Sequence, residues 1–188
     1  MTPKPSYNAD SDEDLISLVK RGDATAFDEL YDRYGQKMFS YFFRMLYKDR
    51  EMAADFTQDL FLKLFKSTGS FEEGKSFSTW IYSIANNMCK NEYRKKEVRA
   101  RQLPKPIMMV DAVSPDLKRF KEAVHQCTNE LPEEKRTLYI LRFQENLSVP
   151  DISKVLGIPE GTIKSRIFYL LKEMKQSLKE FETLSIYP

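Results

Sequence analysis

The residues best suited to chemistry near the C-terminal end of this 188-residue chain are Lys164, Ser165, Arg166, Phe168, Tyr169 and Lys172. An α-helix turns about 100° per residue. On such a helix Ser165, Phe168, Tyr169 and Lys172 point outward, flanked by Lys164 and Arg166. Ile163, Ile167, Leu170, Leu171 and Met174 point inward. Lysine and arginine neutralise phosphates, which holds a protein on a nucleic-acid backbone without reading its sequence. An adjacent Phe and Tyr are unusual on a plain solvated surface. In a major groove they would meet thymine methyls and sugars. The bland reading is a structural helix pair with solvated charges, and it leaves the two rings unexplained.

A second constellation lies between Phe77 and Lys96. Ser83, Asn87, Lys90, Asn91 and Arg94 recur at i, i+4, i+7, i+8 and i+11, opposite an apolar side of Ile81, Ile84, Ala85 and Met88. Amides offer donors and acceptors to base edges, and the cations would hold the backbone. Phe71, Phe77, Trp80 and Tyr82 cluster just before the stripe, and rings beside basic residues suit unstacked bases. Trp80 reads as either core or a base-stacking ring. A third segment, Asp55 to Phe65, holds more apolar surface than one face requires. Phe56, Leu60 and Leu64 share its inward side, while Leu62 and Phe65 lie well around the helix near Asp55 and Gln58. That is the composition of a protein-binding surface; coverage by neighbouring helices is the other reading.

Other chemistries lack their residues. His125 is the single histidine, Cys89 and Cys127 form no CxxC, and a zinc site needs about four ligands. Asp55 and Asp59 are an i, i+4 pair with nothing else converging on them. No GxxxxGK[ST], HExxH or Ser-His-Asp set occurs. No enzyme, cofactor or metal is expected. Two free thiols suit a reducing compartment. There is no apolar run of about 18 residues and no apolar stretch in the N-terminal MTPKPSYNADSDEDL, so a cytoplasmic protein without membrane insertion is expected. The net charge of +2 does not by itself mark a nucleic-acid binder.

The elements that must carry these residues are helices. The six glycines are too scattered for a strand-and-turn architecture. The pattern predicts an all-α chain of two small helical domains, 12–97 and 116–181, joined by a flexible linker at 98–115. That linker contains Pro104, Pro106 and Pro115. Residues 1–11 and 182–188 read as an unstructured N-terminus and a tail. Asp12 would cap a first helix that Gly22 ends, and Asp49 would cap a third. Leu147 to Ile167 has the marks of a helix-turn-helix. Ser148 is a cap, Pro150 fits the first turn, and Gly157 sits at the reversal. Pro159 fits the first turn of the second helix, and Ser153 takes a position that requires a small residue. Ile152, Val155, Leu156, Ile158, Ile163 and Ile167 fall where the two helices cross.

Taken in this order, the three segments resemble a bacterial sigma factor, and the two-domain arrangement resembles the extracytoplasmic function class. The resemblance covers residues 12 to 181. It implies a non-enzymatic subunit that binds core RNA polymerase and directs initiation at promoter DNA. Asp55, Gln58, Asp59 and Phe65, with Leu62 beside them, would dock on the polymerase. Trp80, Ser83, Asn87, Lys90, Asn91 and Arg94 would melt and read the −10 element. Lys164, Ser165, Arg166, Phe168, Tyr169 and Lys172 would read the −35 element. Tyr169 stands where the family commonly has a basic residue, and the linker begins with Arg99, Arg101 and Lys105 where acidic character is frequent. The family also implies an anti-sigma factor as partner. The alternative is a simpler helix-turn-helix regulator that binds duplex DNA through 132–181 and dimerises through 12–97. It would have no use for the stripe at 77–94 and would favour palindromic sites.

Overall fold

The computed structural model describes residue 7 and residues 9–99 and 115–179. They form two helical units. The first contains α1 (Asp12–Lys20), α2 (Ala24–Met45), α3 (Arg50–Lys66) and α4 (Phe77–Arg99) as far as Lys95. The second contains α5 (Pro115–Glu130), α6 (Glu133–Tyr139), α7 (Val149–Leu156) as far as Ser153, and α8 (Glu160–Ser177). No strand occurs among the described residues. Most of the linker, the last residues and most of the N-terminal segment lie outside them.

Each helix of the first unit starts where a short polar side chain satisfies its free amides. Ser11 caps α1 in a capping box with Asp14. Asp23 accepts from the amides of Thr25 and Ala26 at 2.9 and 3.1 Å, and Asp49 accepts from Met52 at 3.0 Å. The cap of α1 is therefore Ser11 and not Asp12. Asp12 is freed for longer-range work. It pairs with Arg33 at 2.9 Å and accepts from the Tyr34 hydroxyl at 2.5 Å, which ties α1 to α2. Burial, with that hydrogen bond second, pushes the Tyr34 phenol far above its usual range. Arg33 also donates to the carbonyls of Tyr7 and Asp10, and Tyr7 donates to Asp23 at 2.6 Å. Part of the stretch that reads as unstructured is thus strapped to α2.

Aromatic pairs set the packing of α2. Phe27 and Tyr31 meet Phe61, and Phe42 meets Phe56, so α3 runs back along α2. Tyr34 meets Phe77 and Tyr41 meets Tyr82, so α4 runs parallel to it. Farther along, the Tyr93 hydroxyl donates to the Met45 carbonyl. The buried stripe of α3 is Ala53, Thr57, Leu60, Phe61 and Leu64. Phe61 is buried as well, where only Phe56 of the two is expected inward, and Phe56 is half-buried with its ring against Phe42. The reason is the phase set by Ala53 and Thr57. Thr57 is tolerated inside because its hydroxyl donates to Ala53 at 2.7 Å.

In the second unit α6 and α8 pack together with α5, around Leu138, Ile140, Leu141, Ile163, Leu170 and Met174. Residues Ile140–Gln144 extend α6 as a π-helical turn, closed by the Glu145 amide on the Ile140 carbonyl at 2.9 Å. Asn146 then takes a left-handed φ of 56°. α7 begins after Ser148, whose hydroxyl accepts from the Asp151 amide at 3.2 Å. Gly157 reverses the chain at φ 68°, a conformation that costs a residue with a Cβ. Ser153 donates across this turn to the Ile158 carbonyl at 2.6 Å, which adds a bond to the space requirement read from its small size. Pro159 lies one place before α8, as its N-cap.

Candidate nucleic-acid interface

α8 buries Ile163, Leu170 and Met174 against its own unit. This leaves Lys164, Ser165, Arg166, Phe168, Tyr169 and Lys172 exposed together. Phe168 and Tyr169 are 63% and 64% exposed, with ring centroids 5.5 Å apart. Leu171 is 45% exposed, contrary to the inward placement expected of it. It lies about 80° around the helix from Ile163, at the edge of the buried stripe, and no described residue buries it. Ile167 is half-buried. Arg166 reaches Glu134 at 3.3 Å. An exposed pair of this kind contributes little and yields readily to a phosphate. The Ser165 hydroxyl donates to the Gly161 carbonyl at 3.0 Å and keeps its lone pairs for a donor.

On α4 the stripe is solvent-facing as well. Asn87, Lys90, Asn91 and Arg94 are exposed and Ser83 is half-buried. The opposite sides are buried: Ile81, Ala85 and Met88 on one, Tyr82, Cys89 and Tyr93 on the other. Adjacent asparagines have opposite fates, since Asn86 is 0% exposed. Of the four aromatic residues gathered at the start of this segment, Phe71, Phe77 and Tyr82 are core and cannot stack on a base. Trp80 alone is partly exposed, backed by Phe71 at 5.2 Å and Phe77 at 6.0 Å.

On α3, Asp55, Gln58, Asp59, Leu62 and Phe65 follow one another down one exposed side. Leu62 is 57% and Phe65 58% exposed, and Phe65 packs edge-on against Phe27 at 5.5 Å. Beside this stripe a groove of about 320 Å³ runs between α2 and α3, where Gln58 is joined by Tyr31, Gln36 and Phe39. Among the described residues no group of three or more His, Cys, Asp or Glu could hold a metal ion. No described helix is long and apolar enough to cross a membrane.

Residues 30–99 match the family Sigma-70 region 2, and residues 121–174 match Sigma-70, region 4. The RNA polymerase sigma-H factor of Pseudomonas aeruginosa is 32% identical over 187 residues, covering 90% of this chain and 95% of that protein. The ECF RNA polymerase sigma factor SigW of Bacillus subtilis is 30% identical over 179 residues, covering 88% and 95%. The chain belongs to the extracytoplasmic function family of RNA polymerase sigma factors. Its fold is also that of the sigma factor RpoE of Bartonella quintana, solved in complex with the anti-sigma factor NepR. The TM-score is 0.67 at 24% identity, covering 81% of this chain and 96% of that one.

Sequence reasoning missed part of this sigma factor's candidate surface. Tyr31, 46% exposed, and Phe39 sit on α2 yet line the groove beside the α3 stripe. Their helical spacing matches the buried face, so only the packing of α3 separates them from it. Adding Glu134 to the surroundings of Arg166 likewise needed α6 and α8 to be brought together.

Proposed function

We propose that this sigma factor divides its work between its two units. Residues 12–97 dock on core RNA polymerase and open the −10 element, and residues 116–181 read the −35 element. The observation that carries this reading is the coexistence of three separate exposed surfaces. One is apolar with an acidic and amide rim, on α3. One is an amide-and-cation stripe beside a half-exposed tryptophan, on α4. One is a cation-and-aromatic face on α8. A duplex-binding regulator would need only the last. Asp55, Gln58, Asp59, Leu62 and Phe65 make the polymerase contact. Trp80 stacks on an unpaired base, Asn87 and Asn91 meet base edges, and Ser83, Lys90 and Arg94 hold the strand. Lys164, Arg166 and Lys172 contact phosphate while Ser165, Phe168 and Tyr169 face the bases. The protein works in the cytoplasm as a non-enzymatic subunit. The RpoE complex with NepR supports an anti-sigma factor as a further partner.

The test is transcription in vitro with purified core polymerase on genomic promoter fragments. Initiation that depends on this protein and selects promoters is expected. Asn87→Ala should impair promoter use and leave polymerase binding intact. Tight duplex binding without core binding or initiation would instead identify a simple regulator.

A further inference from the structure

The segment between α3 and α4 is pinned at both ends by one helix. Its entry is Phe71. The Lys20 ammonium, at the end of α1, donates to the Phe71 carbonyl and stands 5.5 Å over the Phe71 ring. Its exit is Phe77. The Phe77 amide donates to the Glu13 carboxylate, at the start of α1, at 2.8 Å. Both anchoring rings are buried, and both back Trp80. Between the anchors Glu72, Glu73, Gly74 and Lys75 are exposed. Gly74 turns the chain at φ 81°, and Lys75 pairs with Glu72 at 2.7 Å across the turn. Through these two bonds α1 fixes the base of the loop that leads into the surface proposed on α4.

We infer that Glu13 and Lys20 are positioning residues for promoter opening, and that α1 is the platform presenting the 72–76 loop and Trp80 to unpaired DNA. This rests on the role proposed for Trp80. The bonds at the two ends do different jobs. Glu13 satisfies an amide that the first turn of α4 leaves open, so it fixes where α4 begins and hence the bearing of Trp80. Lys20 supplies a charge-assisted bond and a cation over a ring, so it fixes the height of Phe71 beneath the indole.

The experiment uses full-length protein with core polymerase on a linear promoter, reading thymine reactivity to permanganate in the −10 region over time. Lys20→Met keeps the alkyl stem on Phe71 and removes the charge. Glu13→Met removes the acceptor. Opening should slow by about tenfold in the double variant. Core affinity and the thermal midpoint should stay near those of the parent. Lys20→Arg and Glu13→Gln, which retain a donor and an acceptor, should restore opening. Parental opening in the double variant overturns the inference. So does slow opening that tracks lost core affinity or a lowered midpoint, or that the conservative pair fails to rescue. Trp80→Ala separates the two ideas. Slow opening there with normal opening in the α1 double variant removes only the positioning role. Normal opening in Trp80→Ala removes the reading on which it rests.

Discussion

Asp23 does two tasks with one carboxylate. It caps α2 and it accepts the Tyr7 hydroxyl at 2.6 Å. That hydrogen bond first, and the Ala26 amide second, hold its pKa below the ordinary carboxylate value. A carboxylate depressed on folding contributes stability above its unfolded pKa of about 3.9, and that contribution is lost as pH falls through the lower folded value. Tyr7→Phe removes the largest cause. The Asp23 carboxyl should then titrate at higher pH in a carbon-13 NMR titration, and acid unfolding should begin at a correspondingly higher pH. An unmoved Asp23 titration would show that the strap is not formed in solution. Asp12 teaches the same lesson about polar residues near a helix start. Its type and place suit a cap, but Ser11 fills that role and Asp12 serves Arg33 and Tyr34.

At the scale of elements, α3 is the clearest case of a helix with two apolar sides. Leu60, Phe61 and Leu64 go inward, and Leu62 and Phe65 stay out. Large side chains left in water on one side of a folded helix are what a protein partner would bury. Leu62→Ser with Phe65→Ser should lower core-polymerase affinity roughly thirtyfold or more, at about 2 kcal/mol for burying one such side chain. The stability of the free protein should change by about 1 kcal/mol or less, since both residues are already exposed. Competition binding against the parent, paired with a thermal melt, reads both quantities. Full core affinity in the variant would move the polymerase contact elsewhere. α4 illustrates what period alone conveys. The polar stripe at 83, 87, 90, 91 and 94, exposed at all but the half-buried Ser83, follows from spacing. The burial of Phe77 and Tyr82 follows from where α2 puts Tyr34 and Tyr41.

For the whole molecule the relevant quantity is the number of phosphates engaged. With a net charge of only +2, binding to duplex DNA must come from local cations and not from a global field. Each phosphate contact contributes a slope of about −0.9 to log affinity against log salt. Lys164→Gln should reduce the salt slope of −35 duplex binding by about one unit and weaken binding alike across sequences. Phe168→Ala should leave the slope unchanged and relax sequence preference. Equal slopes for Lys164→Gln and the parent would remove Lys164 from the phosphate contacts.

The sequence alone determined that the chain is helical and that a helix-turn-helix lies between Leu147 and Ile167. It also pointed to the sigma-factor family through the order of three segments. These properties are local, because side-chain type, helical period and capping act within a few residues of one another. Tertiary structure decided the rest. It buried Phe61 more fully than Phe56 on α3, left Leu171 exposed, and buried Asn86 while Asn87 faces water. It set Glu13 against the start of α4, a contact that joins residues 64 positions apart. Such outcomes depend on which neighbouring helix covers a given side, and period alone carries no information about that neighbour.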